Sequence, residues 1–133
     1  MTYLLDTNAC IELLNERDTT IAQKLALIEP REILVCSVVK AELYHGAYKS
    51  QQRDANLLVL QRFFERFDSL PFDDAAAEEY GRLRAFLAKQ GLLIGPNDLL
   101  IAAIALANNV TLVTHNTGEF ERVPDLQMQD WQA

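Results

Sequence analysis

Apolar residues occur in two patterns along the chain. Short continuous apolar runs predict strands, whereas apolar residues three or four positions apart predict helices. We therefore expect strands at 3–5, 32–37, 67–72, 110–114 and 126–130. Helices are expected between them at 8–16, 20–28, 38–50, 54–66, 73–90 and 98–107.

Local signals indicate where several of these helices begin. Asp6, Thr7 or Asn8 supplies a polar cap for the first helix, and Ser37 is placed to cap the third. The 98–107 helix is apolar nearly all round, which predicts burial between other layers.

Strands that alternate with helices are typical of an α/β protein. We expect a mostly parallel central sheet of about five strands, covered by helices on both faces. The chain has 133 residues, enough for one core, so residues 1–133 are interpreted as a single domain.

Composition narrows the classes of function. The net charge is −7, from 19 acids and 12 bases, which disfavours broad contact with a phosphate backbone. Cys10 and Cys36 lie in apolar segments and are interpreted as core thiols of a reducing compartment. The chain shows no apolar run long enough for a membrane span and no secretion signal, so a cytoplasmic location is expected.

Acidic and amide side chains follow the predicted strands. Asp6 comes directly after the first strand, Glu42 lies in the helix after the second, and Asp98 opens the buried helix. Asn116 and Glu119 follow the fourth strand. Because the carboxyl ends of parallel strands share one edge of the sheet, these groups should meet there. Clustered carboxylates favour a cation, and oxygen ligands favour Mg²⁺, with Mn²⁺ as the alternative.

Each acid taken alone has an ordinary structural explanation. Asp6 and Asp98 suit a helix N-terminus, as caps or as charges opposite the helix dipole. Glu42 and Glu119 are otherwise solvated surface acids. The arrival of all four at one edge is what favours a metal site.

The order and spacing of four segments resemble the PIN domain, and in particular the VapC-type toxins of bacterial toxin–antitoxin pairs. The segments are YLLDTNACIELL, SVVKAELYHGAYKS, LPFDDAAAEEYGRLRAFLAKQG and IGPNDLLIAAIALANNVTLVTHNTGEFERVPDLQMQDW. The resemblance implies a PIN-like α/β/α sandwich. It also implies that Asp6, Glu42 and Asp98 are catalytic metal ligands, with Glu119 preferred over Asn116 as the fourth.

The activity implied by the resemblance is that of a Mg²⁺-dependent endoribonuclease toxin. It would cleave RNA, transfer or ribosomal, by a water that the metal activates. Asn8, Thr114 and Asn116 are candidate donors that orient the ligands. The alternative is a PIN scaffold without catalysis that acts as a protein- or RNA-binding module.

Partners follow from the same resemblance. It implies a VapB-type antitoxin that blocks the site, with an Arg or Lys among the carboxylates, and either a homodimer or a toxin–antitoxin hetero-oligomer. The 57–67 segment is richer in apolar residues than a one-sided helix needs, so it is either core or a partner surface. His45 is expected on a helix surface. His115 is near the proposed site, and contact with a phosphate is the less favoured of its interpretations.

Overall fold

The computed structural model describes residues 1–15 and 19–132, and in these residues five strands form one sheet. The strands are β1 (Tyr3–Leu5), β2 (Ile33–Cys36), β3 (Asp68–Leu70), β4 (Thr111–Val113) and β5 (Met128–Gln129). Their spatial order is β3-β2-β1-β4-β5. Every neighbouring pair is parallel, with Tyr3 opposite both Ile33 and Thr111. The predicted α/β fold with a five-stranded sheet is confirmed.

Helices connect the strands. They are α1 (Thr7–Asn15), α2 (Thr20–Ala26), α3 (Ser37–Lys49), α4 (Arg53–Phe64), α5 (Asp74–Lys89), α6 (Pro96–Asn108) and α7 (Thr117–Phe120). The six predicted helices are all present, with ends shifted by a few residues. Residue 16, the last of the first predicted helix, lies outside the described residues. The short α7 was not predicted, because four residues are too few to show a helical period.

The core lies on both faces of the sheet. Consecutive residues of a strand point to opposite faces, and both Leu4 and Leu5 are fully buried in β1. The same holds for Leu112 and Val113 in β4, so helices cover the sheet on each side. The burial predicted for α6 is confirmed by an unbroken buried run from residue 101 to 105.

The sheet order places a crevice at the carboxyl ends of β1 and β4. From β1 the chain proceeds to β2 and β3 on one side, then crosses back to β4 on the other. Such a reversal of direction leaves a gap between the connections, which is where α/β proteins bind ligands. Among the described helices, none combines the length and the apolar character that crossing a bilayer requires.

The predicted cap at Ser37 is wrong. Cys36 occupies the N-cap position of α3, and no side chain caps that helix. Ser37 is instead the first helical residue, and its hydroxyl oxygen accepts a hydrogen bond from the backbone N–H of Phe72 at 3.2 Å. The side chain therefore ties the start of α3 to the segment after β3.

Asp73 caps α5, and its carboxylate accepts a hydrogen bond from the Ala76 N–H at 3.0 Å. Asp73→Ala is expected to lower the free energy of unfolding by about 1 kcal/mol, because one N–H at the helix start loses its acceptor. Urea denaturation measures the change. Asp73→Asn, which keeps an acceptor oxygen, should stay within about 0.5 kcal/mol of the unmodified protein, and equal losses in both variants would contradict the assigned cap.

Candidate active site

Asp6 occupies the center of the crevice, directly after β1. Its N–H extends the ladder by donating to the Val113 carbonyl at 3.1 Å, and its carboxylate accepts from the Ala9 N–H at 2.8 Å. Asp6 thus caps α1, and it is only 3% exposed. Burial raises the pKa of Asp6 above its ordinary value, and a hydrogen bond from Thr114 partly opposes this. The negative charge of Glu42 adds to the increase, so Asp6 faces other acids as well as the helix start.

Glu119 approaches the start of α6 closely. One of its carboxylate oxygens accepts a hydrogen bond from the Gly95 N–H at 2.6 Å, and the other accepts from the Asn116 side-chain amide. A Cβ at Gly95 would lie 3.4 Å from the Glu119 carboxylate and 3.7 Å from that of Asp98. Both carboxyl groups therefore lie within van der Waals contact of the Cβ position at Gly95, which places them close to each other.

The pKa values of Asp98 and Glu119 move in opposite directions. Burial, then the charge and hydrogen bond of Glu119, raise the pKa of Asp98 to about 7, and the charges of Asp6 and Glu42 contribute. The hydrogen bond from the Gly95 N–H is the main cause that lowers the pKa of Glu119. A hydrogen bond between two carboxyl groups needs one proton, and these directions place it on Asp98.

Glu42 projects from α3 toward the same crevice. Its Oε1 atom is buried and has no hydrogen-bond partner among the described residues. An unsatisfied buried carboxylate oxygen is costly, so such an atom calls for a ligand. The charge of Glu42 also helps to raise the pKa of both Asp6 and Asp98.

The structure therefore places Asp6, Glu42 and Glu119 within electrostatic range of Asp98, at the carboxyl edge of the sheet. Asp98 lies in the first turn of α6, which begins at Pro96, rather than at its first residue as expected. Among the described residues, no group of three or more His, Cys, Asp or Glu side chains is positioned to hold a metal ion. The effects of the acids on one another's pKa values thus favour a cation site, whereas the positions of their oxygen atoms do not form one.

The other predicted side chains occupy distinct positions around the acids. The buried Thr114 hydroxyl accepts a hydrogen bond from the Asn116 N–H at 3.0 Å and lies against Asp6. Asn116 bonds Glu119 through its side chain. Asn8 is exposed and, within the described part of the chain, makes no hydrogen bond to the four acids.

Three surface depressions surround the acids. One lies beside Glu42 and the exposed His45, and a second runs between α1, α3 and α4. The third lies between α1 and the β4–α7 connection and includes His115. Among the described residues that line them there is no Lys or Arg. Two of the basic residues are held elsewhere, since Lys40 lies over the Phe64 ring and Arg82 pairs with Glu79.

Sequence reasoning missed three contributors to the site. Gly95 acts through its backbone N–H, which leaves no mark in a sequence. Arg122 donates to the Leu93 carbonyl at 3.2 Å, and its charge helps to lower the pKa of Glu119. Asp130 pairs with His115, a contact that depends on β4 and β5 being neighbours.

The chain is similar to proteins of known family. The PIN domain profile matches residues 3–126. The chain is 40% identical over 132 residues to ribonuclease VapC2 of Rickettsia felis, and the match covers 98% of each chain. It is 40% identical over 129 residues to the tRNA(fMet)-specific endonuclease VapC of Shigella flexneri, covering 97% of each.

Solved structures show the same likeness. The structure of VapBC2 from Rickettsia felis, bound to a DNA fragment from its promoter, matches with a TM-score of 0.92 and 39% identity. That match covers 98% of this chain and 99% of the other. The chain belongs to the PIN-domain family, because the profile matches nearly all of it and the fold has the parallel sheet with acids at its edge. Its relatives at about 40% identity over nearly the whole length place it among the VapC-type members.

Proposed function

We propose that this protein is a Mg²⁺-dependent endoribonuclease toxin that acts in the cytoplasm and is controlled by a VapB-type antitoxin. The observation that carries the proposal is the convergence of Asp6, Glu42, Asp98 and Glu119 at the carboxyl edge, with one buried carboxylate oxygen unsatisfied. Relatives with about 40% identity are named ribonucleases, and one is named for tRNA(fMet). We therefore propose transfer RNA as the substrate class.

The chemistry of the donor set fits a divalent cation. All four side chains offer oxygen ligands, which Mg²⁺ prefers over softer donors. The raised pKa of Asp98 favours a proton on this carboxyl group, which reduces the negative charge of the cluster, and a bound cation would reduce it further. We infer that these side chains rotate toward a shared cation when it binds, because their charges act on one another although the described residues are not arranged as metal ligands without it.

The protein residues have separable tasks in this proposal. When bound, Mg²⁺ would help a water molecule to lose a proton and would stabilise charge on the phosphate. Asp6, Glu42 and Asp98 would hold the cation, and Gly95 and Asn116 fix Glu119 from both sides. Because no Lys or Arg lines the adjoining depressions in the described residues, these side chains offer the phosphate no positive charge, and a bound cation would supply it.

Cleavage of purified transfer RNA tests this function. With Mg²⁺ we expect discrete new 5′ ends, mapped by sequencing, because hydrolysis by water leaves a 5′-phosphate. A chelator should abolish them, and Mn²⁺ should restore them. Metal-independent cleavage would contradict the proposal. Binding of RNA without any cleavage would instead favour an inactive PIN scaffold that serves as a binding module.

The groove between α1, α3 and α4 is the proposed antitoxin surface. It has a volume of about 610 Å³ and is lined by apolar side chains that include Ile11, Leu14 and Val59, with Glu42 where it meets the acids. The apolar excess predicted in 57–67 is partly core, since Phe63 and Phe64 are buried, and partly surface, since Val59 is half exposed. An apolar antitoxin segment that ends in Arg or Lys matches this groove.

Val59→Asp is expected to weaken binding of the cognate VapB-type antitoxin about tenfold, because the complex would bury an unpaired carboxylate. Isothermal titration calorimetry with the purified antitoxin measures the change. Leu27→Asp is the matched control, because Leu27 is 83% exposed and lies after α2, outside the groove. Equal weakening by both variants would remove the groove from the proposal.

A further inference from the structure

The lining of the depression beside His115 combines an imidazole, several amide side chains and a carboxylate. It has a volume of about 400 Å³ and lies between α1 and the β4–α7 connection. It adjoins the acids, because Asn116 in its wall donates a hydrogen bond to Glu119 and Asn8 lies two residues after Asp6 at the start of α1. We call it the base pocket, and its lining residues are Asn8, Ile11, Glu12, His115, Asn116 and Gln132.

The His115 ring is held in place along one edge. Its Nδ1 atom lies 3.0 and 3.2 Å from the two carboxylate oxygens of Asp130. Asp130 is itself fixed, since one of these oxygens accepts a hydrogen bond from the Gln132 N–H at 2.9 Å. The His115 side chain is 60% exposed, whereas that of Asp130 is 19% exposed. A flat ring that is anchored at one edge and largely exposed can stack against a nucleobase.

The remaining lining distinguishes a base from a phosphate. The side chains of Asn8, Asn116 and Gln132 can each donate and accept hydrogen bonds, as the edges of bases require. Glu12 only accepts when ionised, and its charge disfavours a phosphate while suiting an amino group. Among the described lining residues, no Lys or Arg offsets that charge.

We propose that the base pocket binds an unpaired nucleobase with an exocyclic amino group, adjacent to the phosphodiester that is cleaved. His115 stacks on the base and Glu12 accepts from its amino group, so uracil is the disfavoured base. The inference rests on the proposed function for its substrate, because the pocket adjoins the acids assigned to cleavage.

Cleavage of short single-stranded RNA of randomised sequence provides the first test. Sequencing of the products should show that one position beside the cut prefers amino-bearing bases over uracil by about tenfold. His115→Ala and Glu12→Ala should reduce this preference to about twofold or less, while preferences at other positions persist. His45→Ala is the matched control, because His45 is exposed beside Glu42 but outside the base pocket, and it should keep the preference.

A binding measurement separates the base pocket from the catalytic proposal. Ca²⁺ replaces Mg²⁺ as the oxygen-seeking cation, and the probe is single-stranded RNA that contains 2-aminopurine, a fluorescent base with an exocyclic amino group. Stacking on His115 should quench its fluorescence in the unmodified protein and not in His115→Ala. Quenching with Ca²⁺ together with no cleavage of the same RNA with Mg²⁺ would refute the proposed function and retain the base pocket. A base preference that is unchanged in both His115→Ala and Glu12→Ala would overturn the base pocket. Quenching that persists in both variants would do the same.

Discussion

Asp6→Asn should reduce the rate of RNA cleavage with Mg²⁺ by about 10³-fold, because the change removes one unit of negative charge from the proposed metal ligands. Asparagine retains an oxygen that can accept from the Ala9 N–H, so the cap of α1 should persist. The substitution therefore separates the two roles of this side chain. Single-turnover cleavage of transfer RNA, with urea denaturation beside it, measures both.

Asp73→Asn is the matched control for Asp6→Asn. Asp73 also caps a helix, by accepting a hydrogen bond from the Ala76 N–H, but it is exposed and precedes α5. This variant should cleave at the rate of the unmodified protein. Undiminished cleavage by Asp6→Asn would exclude Asp6 from the catalytic site and direct attention to a contaminating nuclease.

The sheet and the positions of the acids were predictable because both follow from local pattern and one general rule. Alternating strands and helices specify a parallel sheet, and parallel strands deliver the residues that follow them to one edge. Asp6 and Glu119 follow β1 and β4, which are hydrogen-bonded neighbours. The same rule required no knowledge of the order in which the strands pair.

The contacts that fix the side chains were not predictable in this way. The Gly95 N–H holds Glu119 across 24 positions of sequence, and a backbone donor has no residue type to signal it. The Ser37 hydroxyl was assigned to its own helix, yet it bonds Phe72 35 positions away. In both cases the hydrogen-bond partner is distant in sequence and becomes available only in the folded protein. The periodicity of apolar residues carries no information about such partners.

The pairing of His115 with Asp130 shows the same limit at the edge of the sheet. β5 has two residues, too few for an alternating pattern, so its place beside β4 follows only from the assembled sheet. That placement brings Asp130 to His115 and gives the imidazole a fixed orientation. A residue that appeared isolated in the sequence therefore becomes part of a built surface.

Asp98→Asn should stabilise the protein at pH 8 when no divalent cation is present. The pKa of Asp98 is raised from 3.8 to about 7 in the folded state, so the folded protein holds this proton more tightly than the unfolded chain. The stabilisation that this proton gives to the folded protein is complete below pH 3.8, the ordinary pKa, and is lost as the pH rises through about 7. The pKa of Glu119 is lowered, and its opposite contribution is lost only at acidic pH.

The advantage of Asp98→Asn should therefore grow between pH 5 and pH 8, measured by urea denaturation in a chelating buffer. The amide N–H can also replace the hydrogen bond that the protonated carboxyl donates to Glu119. Asp73→Asn, which changes an exposed helix cap, should show no such change with pH. If the two proteins differed by the same free energy of unfolding at every pH from 5 to 8, the clustering of negative charge around Asp98 would be contradicted.

Magnesium should reverse the order of stability. A cation that binds only the folded protein stabilises it by about 2.7 kcal/mol at a concentration 100 times its Kd. We expect Mg²⁺ to raise the Tm of the unmodified protein at pH 8 and to have little effect on Asp98→Asn, because that variant lacks one of the proposed ligands. The same carboxylate would thus weaken the fold without a cation and strengthen it with one, which is the thermodynamic behaviour of a metal ligand rather than a cap. An equal response to Mg²⁺ in both proteins would place the cation elsewhere.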